Sequence, residues 1–512
     1  MTTDRFQAAT KARVLDGRTL LRQVSLYGVF TIVRRGLNVA FTPVYTHYMS
    51  PGDYGILEIL NLGAWFASII GMCKVDAAFY RYYVAEKSDE GRGRVLGASL
   101  LVTFALSTVI VAAGIGCLPW LARSASGGGK IPALDFYLIA AATWLDLATM
   151  VPLAYCRVTD RVWFVGVTSV TQALVSCSLS LLGLIGWGYG YRALLIGQLG
   201  GSLAAALACA WSLRHATVRW SLAPAGALLR YGLPMVPGAF FMYVIGSADR
   251  FSLARYASFA DVGVYAVAAK FALGVNLIIM GPFSEMWSAN QYRLHASGDA
   301  PLYQRTVVLY LAILFLFTLA VAYFAYDFVL FAFGPAYHSA VQLVPLLVLG
   351  VGVWGLVPTL DLGSLVVPGK TWIRSAATGA AAAVNVTMNL VLVPRIGAVG
   401  AALANVTGFV FLGLVTGVLS YPLVKMRPPL RRILLMTTVF VAAIFVSFTD
   451  GYLSYPAYLA TRILVFLAVG AVLFQLSWRF HPATGSVDPT ARGEQDGVEP
   501  IPDTRVAWRT AR

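Results

Sequence analysis

The sequence predicts an all-α polytopic membrane protein: about fourteen transmembrane helices, arranged as two six-helix bundles in a pseudo-twofold arrangement plus two C-terminal helices. Three observations predict it. Of 512 residues, 58% are hydrophobic and 12% charged, with a mean hydropathy of +0.73, whereas a soluble domain is about half apolar and about a quarter charged. The apolar residues come in long runs, and roughly 20 such residues suffice to cross a bilayer as a helix. Stretches of the first half also recur in the second at a nearly fixed offset.

The runs fall at 21–48, 54–80, 95–118, 132–156, 162–186, 191–213, 228–250, 261–288, 306–333, 339–367, 371–393, 397–422, 433–449 and 456–478. Each is expected to be a helix, because hydrocarbon offers no partner to an unpaired backbone N–H or C=O. Pro43, Pro234, Pro237, Pro282, Pro345 and Pro358 lie inside these runs and are expected to mark kinks or packing points. Residues 1–20 form a polar, basic tail, and the run that follows is too long for the apolar region of a cleavable signal peptide. The first two spans are joined by Ser50-Pro51-Gly52-Asp53. Connections are short throughout. The longest on the outer side, 119–131, is Gly/Ser-rich, and no loop is long enough for a folded soluble domain. The expected units are 21–213, 228–422 and 433–478, with a polar, disordered tail over 481–512.

The net charge of +15 invites a nucleic-acid reading, which the distribution excludes. Basic residues alternate from side to side between the apolar runs. With a cytoplasmic N-terminus, one side holds the N-tail cations, Arg81, Lys87, Arg92, Arg94, Arg157, Arg161, Arg214, Arg219, Arg230, Arg293, Arg305, Lys370, Arg374, Lys425, Arg427, Arg431 and Arg432. The other side has only Arg123, Lys130, Arg192, Arg250, Arg255, Arg395 and Arg462. The positive-inside rule therefore puts both termini in the cytoplasm.

The repeat is the most informative feature. A shift of 208 places Leu20-Leu21-Arg22 on Leu228-Leu229-Arg230, Tyr48 on Tyr256, Ser50 on Ser258, Asp53 on Asp261 and Gly55 on Gly263. A shift of 209 pairs Trp163 with Trp372 and Gly188 with Gly397. Each copy has an even number of spans, so both enter the membrane the same way. Parallel repeats of this kind suggest bundles that rock about a central site.

Charge at membrane depth is costly and usually marks function. Span one carries Tyr27, Thr31, Arg34, Asn38 and Tyr45 on one helix face, with Arg35 about 100° away. Arg34 sits near mid-bilayer. Either it pairs with an internal carboxylate and locks helices together, or it holds an anion, as the bidentate and permanently charged guanidinium suits phosphate. Span two carries Glu58, Asn61, Trp65, Ser68, Met72 and Asp76 on one face and Lys74 on another; snorkelling to the interface is the competing account of Lys74. Span eight carries Lys270, Gly274, Gly281 and Glu285. Asp249-Arg250 at the end of span seven reads as an interfacial salt bridge. Asp146 and Asp361 are candidate partners or proton carriers, with packing and helix-end roles as alternatives. Spans thirteen and fourteen read as free of deep cations. The candidate substrate site is thus Arg34, Arg35, Asn38, Lys74 and Lys270, around a cationic central cavity. The candidates for ion coupling or charge pairing are Asp76, Asp146, Asp249, Glu285 and Asp361.

No GxxxxGK[ST], HExxH, GxSxG or Asp-x-Asp motif occurs, so nothing indicates an ATPase or a hydrolase. The five histidines are scattered at span ends. The five cysteines lie in or at the ends of apolar runs without metal-ligand spacing, so no metal site is expected and they read as small hydrophobes.

Three stretches carry a resemblance. SLYGVFTIVRRGLNVAFTPVYTHYMSPGDYGILEI at 25–59, RYGLPMVPGAFFMYVIGSADRFSLARYASFADVGVYAVAAKF at 230–271 and NVTMNLVLVPRIGAVGAALANVTG at 385–408 resemble the polysaccharide-transport flippases (Wzx type) of the multidrug/oligosaccharidyl-lipid/polysaccharide exporter superfamily, the MATE-like proteins. The "Thr-x-x-Leu-x-Arg" style opening of that family is only loosely matched. The resemblance implies a V-shaped pair of bundles that moves undecaprenyl-diphosphate-linked oligosaccharide across a bacterial inner membrane for exopolysaccharide, capsule or O-antigen (lipopolysaccharide) assembly. It implies a transporter rather than an enzyme, with no cofactor and with alternating access driven by an ion gradient, H+ or Na+. Arg34, Arg35, Lys74 and Lys270 would contact diphosphate and sugar. Membrane lipids, a polysaccharide polymerase and chain-length or export proteins would be partners, and nucleic acid would not. The rival readings are a lipid II flippase, a small-molecule or drug antiporter of the same superfamily, and a membrane glycosyltransferase or polymerase.

Overall fold

Two helices open with the same cap, 208 residues apart. Ser50 Oγ accepts the Asp53 backbone N–H at 3.1 Å and donates to Asp53 Oδ2 at 2.9 Å. Ser258 and Asp261 repeat the pair at 3.1 and 2.6 Å. Each serine satisfies an amide at the start of its helix that the helix itself leaves unbonded, and each aspartate adds negative charge where the helix dipole favours it.

The computed structural model describes residues 30, 33–34, 36–37, 39–116, 131–214, 216–361, 372–423, 427–449 and 455–478. In chain order the principal helices are α1 (Thr42–Tyr48), α2 (Pro51–Met72), α3 (Val75–Ala85), α4 (Asp89–Gly116), α5 (Ala133–Val158), α6 (Val162–Leu181), α7 (Tyr191–Leu213), α8 (Ala225–Gly232) and α9 (Val236–Tyr256). There follow α10 (Phe259–Val275), α11 (Gly281–Ser297), α12 (Ala300–Ala332), α13 (Val344–Trp354), α14 (Val357–Leu360), α15 (Trp372–Ser420), α16 (Leu430–Ile444) and α17 (Tyr455–Trp478). There is no strand among the described residues, and the chain is an all-α polytopic membrane protein.

Among the described residues, eleven helices are long and apolar enough to cross a membrane, or twelve when the bent pair Pro335–Gln342 and Val344–Leu360 counts as one span. α15 contains a reversal. Ile396 (φ −131°) and Gly397 (φ +56°, ψ −132°) leave helical geometry, and beyond them the chain folds back, so that Asn385 Nδ2 donates to the Ala404 carbonyl at 3.1 Å. The two arms are the separate spans expected over 371–393 and 397–422. Only glycine adopts the Gly397 conformation without strain. The first part of span one, residues 21–29, and positions 31, 32, 35 and 38 lie outside the described residues, and fourteen spans remains an expectation. The tails over 1–20 and 481–512 also lie outside them.

Several helices outrun the apolar stretch that predicts them. α9 continues to Tyr256, α4 begins at Asp89 and α12 at Ala300, the last capped by Asp299 Oδ1 on the Leu302 N–H at 2.9 Å. Hydropathy marks the hydrocarbon, whereas caps mark where a helix ends.

The two repeats meet about their own symmetry. A Cβ on Gly55 would lie 1.8 Å from the Phe259 carbonyl oxygen, and one on Gly263 would lie 2.0 Å from that of Pro51. The same shift of 208 relates Pro51 to Phe259 and Gly55 to Gly263. α2 and α10 therefore cross with backbone against backbone at their first turns. At the same end the Gly334 N–H donates to Thr46 Oγ1 at 3.2 Å and the Tyr337 hydroxyl donates to the Met49 carbonyl at 3.1 Å. Further along, the Tyr243 hydroxyl donates to the Leu62 carbonyl at 2.7 Å.

Towards their other ends both repeat helices deform at matching positions. Cys73 (φ +43°) and Lys74 (φ +54°) are left-handed and separate α2 from α3. Gly232 abuts this break, and its Cβ would lie 2.2 Å from the Cys73 carbonyl oxygen. In the second repeat Asn276–Met280 forms a π-turn before Gly281-Pro282. A proline ring clashes with the carbonyl four residues back, and a π-turn relieves that clash.

α16 and α17 pack against α12. The Phe315 and Phe440 rings stack at 4.5 Å, and the Tyr323 hydroxyl donates to the Ala443 carbonyl at 2.7 Å. Arg462 on α17 is 3% exposed. It bonds the Tyr323 carbonyl and lies 3.6 Å from the centre of the Tyr458 ring. This corrects the expectation that the last two spans carry no deep cation: aromatic faces and a carbonyl solvate this one internally.

Gly55→Ala is expected to lower the thermal unfolding midpoint of the purified protein, because overpacking costs about 1–3 kcal/mol. Gly63→Ala, whose new Cβ meets nothing within 4 Å, serves as the control and is expected not to lower it. Equal midpoints would mean that the crossing relaxes freely.

Candidate functional site

The crossing of α2 and α10 sets the geometry of the site. With the helices in contact at Gly55 and Gly263, a side chain one turn further along α2 reaches the second repeat. That side chain is Glu58. Its Oε1 lies 3.2 Å from Arg250 Nε on α9, with the two side chains 16% and 14% exposed. At 1.5 Å rise per residue, Glu58 sits about 10 Å inside α2 and Arg250 about 9 Å from the end of α9.

Arg250 is held from several directions. Its Nη1 donates to the Gly246 carbonyl at 2.7 Å and lies 3.5 Å from Asp249 Oδ1. Its guanidinium stands 5.6 Å from the centre of the Tyr265 ring. Asp249 is buried; it accepts the Arg250 backbone N–H at 2.7 Å and the Tyr265 hydroxyl at 2.6 Å. Lys270, on α10, lies against the Tyr54 hydroxyl, with Glu58 and Arg250 as its charged neighbours. Tyr54 in turn meets Thr42 of α1. Two carboxylates and two cations from both repeats thus form one network. Burying such charges is tolerable only when they are paired and hydrogen-bonded.

The predicted site residues separate into groups. Lys270 and Asp249 belong to this network. Arg34 is half-buried in the first repeat, with Asp146 as a charged neighbour. The Asp146 carboxylate is held by Gln172, whose Nε2 donates to Oδ1 at 2.8 Å. Arg35 and Asn38 lie outside the described residues. Lys74 stands at the break between α2 and α3 and Asp76 in the first turn of α3, sixteen or more residues along the chain from Glu58, so they are not brought to the network. Asp76 Oδ1 is buried without a hydrogen-bond partner. Glu285 is exposed on α11. Asp361 is buried at the end of α14, with Arg374 Nε 3.4 Å away, which fits the helix-end reading.

Two residues of the network, Glu58 and Arg250, are absent from the predicted site. Arg250 reads as interfacial because the hydropathic run ends there, whereas the helix goes on to Tyr256. Glu58 lies on the recognised polar face of span two, and the signal that could have singled it out is the need of a deep Arg250 and Lys270 for a counter-charge. Of the expected cationic cavity, this seam holds two cations and two carboxylates, and Arg250 has both carboxylates within 4 Å. Among the described residues no group of three His, Cys, Asp or Glu side chains converges as metal ligands would.

The family model "polysaccharide biosynthesis protein" matches residues 20–287. No curated protein matches the chain by sequence. Among solved structures, "Lipid II flippase MurJ, inward closed conformation" aligns with a TM-score of 0.70 at 13% identity, over 89% of this chain and 99% of that one. An inward-facing multidrug resistance MATE family transporter of the MOP superfamily aligns with a TM-score of 0.60 at 15% identity, covering 76% and 93%. A MOP superfamily transporter from Pyrococcus furiosus, described by a reversed polarity of its binding pocket, aligns with a TM-score of 0.53 at 16% identity, covering 78% and 94%. The chain therefore shares the fold of these membrane flippases and exporters.

Glu58→Gln and Arg250→Met are each expected to lower thermal stability, and the double variant by less than the sum, with a coupling of about 0.5–3 kcal/mol. Additive losses would mean that the pair does not act as a unit.

Proposed function

The chain belongs to the polysaccharide biosynthesis protein family, and we propose that it is a flippase for undecaprenyl-diphosphate-linked oligosaccharide repeat units in the bacterial inner membrane, with both termini cytoplasmic. The observation that carries this reading is the charged network of Glu58, Asp249, Arg250 and Lys270 across the seam between the repeats. A diphosphate carries the charge and the acceptor oxygens to replace the carboxylates opposite Arg250 and Lys270. As it takes the place of Glu58, the ion pair joining α2 to α9 opens. The anionic head group is thus exchanged for an ion pair between the two repeats, beside a crossing that stays in contact, and this is a coupling that alternating access can use.

Arg34 extends the same logic into the first repeat. Its charge is matched by Asp146 at rest, and a phosphate arriving at Arg34 releases that carboxylate. Asp146 is then available to take up a cation, H+ or Na+, from a transmembrane gradient. The head group needs such a path because its sugars and charges cannot cross hydrocarbon unaided, while the polyprenyl chain stays in the lipid. A lipid II flippase would use the same anion chemistry; the polysaccharide family match favours the repeat unit. A polymerase and chain-length or export proteins would act on the translocated product.

Deletion of the gene in its host is expected to stop surface polysaccharide and to accumulate lipid-linked repeat units on the cytoplasmic side. Normal polymer in a strain without a second flippase would refute the reading. Arg34→Ala is expected to cut polymer output about tenfold at unchanged protein level, the scale of one lost charge-assisted contact. Arg34→Lys should restore it only in part, because lysine lacks the bidentate fork.

A further inference from the structure

A cavity of about 290 Å³ opens at the end of the second repeat where α12 begins, among α12, α14, the end of α15 and the start of α16. Its walls are Tyr303, Leu360, Val418, Tyr421 and Leu430, and Val418 is 71% exposed beside it, so the cavity opens towards the surrounding lipid. One buried, unpaired hydroxyl interrupts this lining. Ser420 is 1% exposed, and its hydroxyl has no hydrogen-bond partner, an arrangement that costs stability unless something else accepts that proton.

The rim is basic. Arg427 stands 5.6 Å from the centre of the Tyr421 ring, and its carbonyl accepts Gln304 Nε2 at 2.9 Å, which ties the segment before α16 to the first turn of α12. Arg427 is exposed, as is Arg431, the chain neighbour of the lining residue Leu430. The neighbouring carboxylates are engaged: Asp361 is paired with Arg374, and Asp299 caps α12.

We propose that this cavity binds an anionic glycerophospholipid of the adjoining leaflet. The phosphate sits between Arg427 and Arg431, the Ser420 hydroxyl donates to an ester carbonyl, and the first part of one acyl chain fills the apolar space. An apolar slot with a cationic rim at the membrane boundary selects an anionic amphiphile. The buried hydroxyl distinguishes between amphiphiles, because a glycerophospholipid carries ester carbonyls below its phosphate and a polyprenyl phosphate carries none. The volume suits a glycerol ester region with a short length of chain, being near the lower end of the roughly 300–1,000 Å³ typical of ligand sites. Bound there, the lipid bridges the second repeat and α16. This inference is independent of the transported substrate.

The test uses the full chain in nanodiscs of phosphatidylcholine alone, with phosphatidylglycerol, or with polyprenyl phosphate, reading the retained lipid by native mass spectrometry and the thermal midpoint. Phosphatidylglycerol is expected to be retained and to raise the midpoint. Arg427→Gln/Arg431→Gln, both at exposed positions, should weaken its retention about tenfold, and Ser420→Ala should weaken it by less. Gly417→Leu, placed to fill the cavity, should abolish it. Equal retention by the arginine variant and the parent chain overturns the proposal, as does a preference for polyprenyl phosphate over phosphatidylglycerol.

Discussion

The structure hangs on a backbone-to-backbone crossing. α2 and α10 touch at Gly55 and Gly263 so closely that no side chain fits between them. Because the two helices begin with the same Ser-x-x-Asp cap, their first turns are alike and can meet about a pseudo-twofold axis. In lipid, helices gain little from hydrophobic exclusion, and close approach of small residues supplies packing instead. The crossing brings the second turn of α2 beside α9, and that proximity is what lets Glu58 of the first repeat reach Arg250 of the second.

Several features of the seam follow from that closeness. Four charges lie within one patch inside the membrane spans: Arg250 pairs with Glu58 and Asp249, and Lys270 lies against the Tyr54 hydroxyl. Such a network contributes little net stability compared with an apolar seam of the same shape, because desolvation offsets most of the attraction. What it offers is exchangeability. An apolar seam has no ligand that can compete for it with charge, whereas a carboxylate–guanidinium pair can be replaced by a phosphate. A flippase of anionic head groups can use that property.

The helix breaks show a division of labour within each repeat. At the capped ends α2 and α10 are regular. Further along, α2 breaks at Cys73 and Lys74, and α10 gives way to a π-turn before Gly281-Pro282. The shift of 208 aligns Cys73 with Gly281, so the two copies deform at the same place by different means. One uses two left-handed residues packed on Gly232, the other a proline and the π-turn that accommodates it. Interruptions of this kind, placed beyond a fixed crossing, let the far parts of a helix swing while its capped end stays in contact.

The sequence by itself determined the all-helical, polytopic class, most of the helix positions and the repeat, because apolar length, basic asymmetry and a constant offset are one-dimensional signals. The equivalence of Ser50 with Ser258 and of Gly55 with Gly263 was legible for the same reason, whereas their roles as caps and as a contact came from the structure. Only the tertiary structure decided which charges share a site. Lys74 and Lys270 differ in the sequence only in depth, which left snorkelling open for Lys74, yet one ends a broken helix and the other joins the network, and no local pattern encodes those partners. Arg250 seemed interfacial because hydropathy ends a span where hydrocarbon ends, not where the helix does. Glu58 became a site residue only when the crossing placed it against another repeat. Arg462 was hidden by an apolar span whose neighbours, Tyr323 and Tyr458, solvate it across distances in sequence that no periodicity reveals. Contacts between elements are set by packing in three dimensions, and that packing decided the site.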